Sequence, residues 1–165
     1  MHQFNNMSAD SKTWIYASNR KFTLEEQNEI MSGAKAFTSN WKSHGQSLKA
    51  SFDILYDTFI VLMVDESVNP VGGCGTDDSI HFIQGIESAF DVKLFNRLQV
   101  ELLVNNEIII TSKSEAAKIY NESKISGNTI FFNKVITSKR DFESNFKIPY
   151  SKSWAFQGIK QAETV

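Results

Sequence analysis

The chain has a single cysteine, Cys74, among its 165 residues. One thiol excludes an intrachain disulfide and any zinc or iron–sulfur site that is built from several cysteines. Such cysteine usage is typical of proteins in a reducing compartment. We therefore predict a cytoplasmic protein, with no metal site and no bound cofactor.

Long hydrophobic runs are also missing. The longest covers only six residues, Phe59 to Val64, whereas a membrane-spanning helix needs about 18 or more. Residues 1–12 are polar and contain no apolar segment of the kind found in secretory signals. Both observations predict a cytoplasmic protein without a membrane span.

A large excess of charge of either sign is absent as well. The chain carries 17 basic and 19 acidic residues, a net charge of −2, so it has no overall attraction for nucleic acid or anionic lipid. Basic residues do alternate with aromatic ones around Trp14 and Trp41, a pattern also found in single-strand binding sites. Solvated lysines above buried rings explain it better, and we predict no nucleic-acid partner.

The hydrophobic content is ordinary at 41%, and it includes 13 phenylalanines. A chain of this length and composition can bury a core of its own. We predict one domain over residues 13–157, preceded by a flexible leader (residues 1–12) and followed by a polar tail (residues 158–165).

Several local patterns predict the elements of this domain. Thr23 to Glu26 has the capping-box pattern of a helix start, and the helix is expected to end near Gly45. The apolar run at 59–64 predicts a buried central strand that pairs with the alternating segment 50–56 and ends at the surface at Asp65. Asn105-Asn106 predicts the turn of a second hairpin. The expected fold is α+β: a single domain with a mainly antiparallel sheet built from two hairpins and covered by helices.

The most informative segment for function is the glycine cluster that follows Pro70. A glycine-rich loop between a strand and a helix can bind an anion through free amides. The candidate ligand-binding residues of this loop are Gly72, Gly73, Gly75, Thr76 and Asp77. A nucleotide-binding P-loop also needs a lysine, which is missing here, and Asp77 and Asp78 would repel phosphate. ATP hydrolysis is therefore not expected.

The cysteine inside this cluster suggests a second kind of site. A thiol near a helix N-terminus is more reactive than an ordinary one, and Cys74 could act as a nucleophile with His81 or His44 as its base. The simpler interpretation is a small buried thiol that packs against a turn. Asp77 and His81 are also four residues apart, a spacing that can share a metal ion, but aspartate at a helix start is more often a cap.

Several short stretches together resemble a known family. They are Trp14-Ile15-Tyr16, Ser18-Asn19-Arg20, Trp41, His44-Gly45, Leu48-Lys49-Ala50, Phe59-Ile60-Val61-Leu62, Val64-Asp65-Glu66, Gly73-Cys74, Asp77, Ser79, Leu94-Phe95, Arg97 and Ser153-Trp154. Over residues 13–156 the chain resembles a family of small uncharacterised bacterial proteins, some of which carry the automatic label "ABC transporter ATPase". The resemblance implies a bacterial protein and assigns no catalytic residues. The missing Walker lysine disagrees with the label.

No set of residues spells out a complete catalytic site. We therefore predict a small cytoplasmic, non-catalytic binding or interaction module whose partner is a protein or a small molecule. The alternative is a thiol-dependent enzyme that uses Cys74 with His81 or His44.

Overall fold

A computed structural model describes residues 2–159 of the chain. This part contains the helices α1 (Leu24–Asn40), α2 (Gly72–Phe90), α3 (Lys113–Asn121) and α4 (Lys139–Asn145). Its strands are β1 (Lys12–Ala17), β2 (Lys42–Ser43), β3 (Gln46–Ser47), β4 (Ala50–Leu55), β5 (Phe59–Val64), β6 (Gln99–Val104), β7 (Glu107–Ser112), β8 (Ile130–Phe132) and β9 (Lys147–Pro149). Short 3-10 helices lie at His2–Phe4, Tyr150–Lys152 and Trp154–Phe156.

The chain divides into two compact units. Unit 1 comprises residues 1–95 and 134–144, and unit 2 comprises residues 96–133 and 145–165. Each sheet is antiparallel, and the predicted α+β class is confirmed. The two predicted hairpins lie in different sheets, one in each unit. The expectation of one domain over residues 13–157 stays a prediction.

The sheet of unit 1 has the order β1-β5-β4, with β5 in the centre. All six side chains of β5 are fully buried, as the run of apolar residues predicted. Ile60, Leu62 and Val64 face a core to which α2 contributes Ile83 and Ile86. The helices α1 and α2 therefore cover one face of this sheet.

Helix α1 begins as the sequence predicted. The Thr23 hydroxyl accepts a hydrogen bond from the Glu26 N–H at 3.1 Å, and the Glu26 carboxylate accepts one from the Thr23 N–H at 2.9 Å. The Arg20 guanidinium donates to both oxygens of the same carboxylate, at 2.8 and 2.9 Å. These bonds, that from Arg20 first among them, lower the pKa of Glu26 to about 2.

The predicted end of α1 near Gly45 is wrong. The helix stops at Asn40, because Trp41 leaves it and its indole N–H donates to the Gly75 carbonyl at 2.9 Å inside the core. His44 and Gly45, with φ of 51° and 77°, form the turn between β2 and β3. Two successive positive φ values are what a tight hairpin turn requires.

The first residues pack onto unit 1, which corrects the prediction of a flexible leader over residues 1–12. Phe4 and Met7 are buried. Ser8 donates its N–H and its hydroxyl to the Asp65 carboxylate, at 3.1 and 2.9 Å. Asp65 was expected at the surface, but only 2% of it is exposed. Hydrogen bonds from Ser67 and Ser8, together with Lys49, hold its pKa well below the ordinary value despite burial.

Unit 2 contains the four-stranded sheet β7-β6-β8-β9. Asn105 and Asn106 both have positive φ and form the predicted turn between β6 and β7. The Ser112 hydroxyl caps α3 by accepting from the Glu115 N–H at 3.2 Å. The core of the unit includes Tyr150, whose buried hydroxyl has no hydrogen-bond partner within residues 2–159. The predicted polar tail lies outside the described residues from Lys160 onward.

Candidate functional site

The predicted glycine loop is the first turn of helix α2. The helix begins at Gly72, directly after Val71, whose N–H donates to the Glu66 carboxylate at 3.1 Å. A carboxylate at this position complements the positive end of the helix. The prediction that the glycines form a loop before the helix is therefore wrong, and an acidic side chain of the protein already accepts from an amide there.

Two glycines of this turn are explained by close packing against the β2–β3 hairpin. Gly72 has a φ of 59°, and a Cβ at this position would lie 2.9 Å from the Ser43 Oγ and 3.3 Å from the His44 Nε2. A Cβ at Gly75 would lie 3.1 Å from the Val71 Cγ2. By contrast, a Cβ at Gly73 would meet nothing within 4 Å. Gly72 and Gly75 thus have structural roles that need no ligand.

The two side chains of the predicted ligand set are those of Thr76, which makes a local contact, and Asp77, which faces solvent. The Thr76 hydroxyl donates to the Gly72 carbonyl at 2.8 Å, which is a bond within the helix. Asp77 is exposed to solvent. Ser43, beside Gly72, is 4% exposed, and its hydroxyl has no partner within the described residues. Since this hydroxyl is sealed from solvent, it offers no contact to an incoming ligand.

The three residues of the predicted thiol site form no catalytic contact with one another. Cys74 is exposed and has no hydrogen-bond partner within residues 2–159. His44 lies beside Gly72, near the start of α2. His81 follows Cys74 by seven residues in the same helix, a rise of about 10 Å along its axis. The nucleophile hypothesis therefore stays a hypothesis without a supporting contact, and the expected burial of the thiol is wrong.

His81 instead lines a shallow cleft of about 430 Å³ between α1 and α2, together with Asp78, Lys42 and Trp41. The cleft has an aromatic side, where Phe37 and Phe82 stack with their ring centroids 4.5 Å apart. Within residues 2–159, no three His, Cys, Asp or Glu side chains are placed to share a metal ion. The cleft thus brings Asp78, His81 and Lys42 near an aromatic wall.

A larger cleft, of about 770 Å³, lies within unit 2 and involves none of the predicted site residues. We call it the α3 cleft. Its apolar walls come from Leu98, Ala117, Trp154 and Ile159. The Trp154 ring meets the Phe131 ring edge to face, with centroids 6.3 Å apart, so the core of the unit holds the indole in place.

The polar rim of the α3 cleft comes from the start and the outer face of α3. It consists of Ser112, Lys113, Ser114 and Asn121 from this region, with Gln157 on the opposite side. Lys113 is the one charged residue along the cleft in the part of the chain that the structure describes. Among the described residues, no His, Cys, Asp or Glu lines it, so no imidazole or carboxylate base stands beside its serine hydroxyls.

Sequence reasoning missed the α3 cleft because its walls are far apart in the chain. Trp154 packs against the core through its contact with Phe131, and the sequence around it does not indicate a cleft. Leu98 lies directly before β6 and is 75% exposed. A large apolar side chain directly before a strand is the sequence feature that could have pointed to this cleft.

Comparisons with known proteins do not identify the chain. It matches no protein-family model, no curated protein and no solved structure. Among residues 2–159, no helix combines the length and the apolar character that crossing a membrane would take.

Proposed function

We propose that this protein is a non-catalytic binding module and that the α3 cleft is its binding site. The observation that carries the proposal is the composition of the cleft: apolar walls around about 770 Å³ with a polar rim and, among residues 2–159, no His, Cys, Asp or Glu. Ligand sites in proteins are concave, mostly apolar and about 300–1,000 Å³ in volume, with a few polar groups that orient the ligand. The α3 cleft has these properties.

The exposure of Leu98 further supports the proposal. This side chain is 75% exposed at the edge of the cleft, although burying a leucine is worth about 1.5–3 kcal/mol. A ligand in the cleft would cover part of it. Covering the Leu98 side chain would stabilise the complex through the hydrophobic effect.

The proposal includes the setting of the protein. A cytoplasmic location in a bacterium is favoured by the single cysteine and by the resemblance of residues 13–156 to a bacterial family. The alternative function, a thiol-dependent enzyme, has no contact in its favour among the described residues, since Cys74 bonds to neither His44 nor His81.

The proposal can be tested with N-phenyl-1-naphthylamine, a neutral apolar dye whose fluorescence rises in apolar sites. We expect saturable binding of one dye per chain. Leu98→Ser should weaken it about fivefold, because it removes roughly 1 kcal/mol of apolar contact. Leu24→Ser is the matched control, because Leu24 is 74% exposed and lies in unit 1.

Two results would overturn the proposal. The first is the absence of saturable dye binding to the folded chain. The second is an equal loss of affinity in the Leu98→Ser and Leu24→Ser variants, which would mean that the dye samples exposed apolar side chains at large. Circular dichroism of both variants verifies that they are folded.

A further inference from the structure

We infer that the α3 cleft takes a small amphipathic carboxylate, with its apolar body along Trp154 and its carboxylate at Lys113. This inference rests on the proposed function and adds the chemical class of the ligand. Three features of the cleft carry it: an unpaired cation at its rim, free hydrogen-bond donors beside that cation, and an apolar wall.

The first feature is the charge of Lys113. Among residues 2–159, no carboxylate pairs with its ammonium group, and no acidic residue lines the cleft. The cleft therefore has a positive rim in a chain whose net charge is −2. Charge complementarity favours an anionic group on the occupant.

The position of Lys113 in α3 strengthens this argument. It is the first residue of the helix, where the peptide dipoles favour negative charge and disfavour a cation by about 0.3–1 kcal/mol. Lys113 thus goes against the preference for negative charge at a helix start. Residues that go against such a preference are expected at functional sites. An anion bound at this end of α3 would pair with Lys113 and add to the negative charge that Glu115 already places in the first turn.

The second feature is a surplus of donors. The Ser112 and Ser114 hydroxyls lie 3.2 Å apart and share one hydrogen bond, while the Ser112 oxygen also accepts from the Glu115 N–H. Of their two hydroxyl hydrogens, one remains for another acceptor. Carboxylate oxygens are acceptors only, and they suit this set.

The third feature is the apolar wall formed by Leu98, Ala117, Trp154 and Ile159. A fully polar anion such as phosphate would leave this wall uncovered. A carboxylate with a medium-length hydrocarbon body uses both parts of the cleft. A volume of about 770 Å³ is ample for such a molecule.

The experiment compares decanoate with the neutral 1-decanol as competitors for N-phenyl-1-naphthylamine on the full chain. We expect decanoate to bind about fivefold more tightly at low salt, since a solvent-accessible ion pair contributes up to about 1 kcal/mol. Lys113→Gln should remove this preference and leave decanol affinity unchanged. Lys118→Gln, an exposed lysine of the same helix that does not line the cleft, is the matched control.

The outcomes separate this inference from the proposed function. Equal affinities for decanoate and decanol would overturn the inference. Equal effects of Lys113→Gln and Lys118→Gln on decanoate affinity would do the same. In both cases saturable dye binding would still support the proposed function. Failure of the dye itself to bind would overturn both. Light scattering tests whether a second copy of the chain occupies the cleft instead. A dimer that dissociates as decanoate binds would show this, and it would also overturn the inference.

Discussion

Replacing Asp65 by alanine tests whether the N-terminal segment is part of the folded structure. The carboxylate accepts hydrogen bonds from the N–H and the hydroxyl of Ser8, from the N–H and the hydroxyl of Ser67, and from the Lys49 ammonium, at distances between 2.6 and 3.2 Å. Its side chain is only 3% exposed. Asp65→Ala therefore removes the shared acceptor of five donors.

The expected loss in the free energy of unfolding is about 3 kcal/mol. Removing one partner of a buried charged pair costs about 3–5 kcal/mol, and hydrogen bonds to a charged group contribute about 1.5–3 kcal/mol each. The lower end applies because the Lys49 side chain is 42% exposed and its ion pair is screened by solvent. For a chain of this size, 3 kcal/mol lowers the melting temperature by about 6–12 °C.

The pH dependence of this loss follows from the direction of the pKa shift. Folding lowers the pKa of Asp65, so the carboxylate contributes its full stability above the unfolded pKa of about 4. That contribution disappears as the pH falls towards and through the lower folded value. The difference between the wild type and Asp65→Ala should therefore be largest near pH 7 and shrink below about pH 4.

Urea unfolding, followed by tryptophan fluorescence between pH 7 and pH 2.5, measures both quantities. Asp10→Ala is the matched control: Asp10 belongs to the same N-terminal segment, but its ion pair with Arg140 is exposed on both sides and is worth about 0–1 kcal/mol. The reasoning is refuted if the two variants lose similar stability, or if the loss in Asp65→Ala is the same at every pH.

Three further predictions concern other positions. Tyr150→Phe should leave stability unchanged or raise it by up to about 1 kcal/mol, because the buried hydroxyl has no partner among the described residues; a loss above 1 kcal/mol in urea unfolding would contradict this. Gly72→Ala should cost about 1–2 kcal/mol, since its φ of 59° and the Ser43 Oγ at 2.9 Å from the new Cβ both oppose a side chain. Gly73→Ala, with nothing within 4 Å, should gain about 0.5–1 kcal/mol, and equal effects of the two would refute the packing argument. Iodoacetamide should label Cys74 no faster in the folded chain than in the urea-unfolded chain at the same pH; labelling ten times faster would support a thiol-dependent enzyme.

Elements whose signals are local were predicted well from the sequence. The capping box at Thr23 involves residues three positions apart, and the turn at Asn105-Asn106 depends on the tolerance of asparagine for positive φ. The apolar run of β5 was sufficient to predict a central strand because six consecutive buried side chains have few other places in a fold. Such features need no knowledge of distant residues.

Features that depend on distant contacts were missed. Helix α1 ends early because Trp41 bonds to Gly75, 34 residues later, and the first residues are ordered because Ser8 bonds to Asp65, 57 residues later. Neither contact has a sequence pattern of its own. A polar segment such as residues 1–12 resembles a flexible terminus until its distant acceptor is known.

The candidate site was the least predictable part for the same reason. Cys74 and the surrounding glycines drew attention as a rare local pattern, and the structure explains most of that pattern by the packing of α2 against β2. The α3 cleft combines residue 98 with the start of α3 and the segment 154–159. Apolar and small polar residues of these types are common in any chain, so their arrangement is visible only in three dimensions.

The interleaved path of the chain has a consequence for its synthesis. Unit 1 needs residues 134–144: Lys12 pairs with Ser138 in a β-bridge, and the Phe4 ring meets the Phe142 ring at 6.1 Å. A ribosome that has released only the first 95 residues has therefore not yet delivered every part of this unit. Apolar surface of unit 1 that residues 134–144 cover in the folded chain stays exposed while residues 96–133 are made. Uncovered apolar surface of this kind makes incomplete chains prone to aggregation.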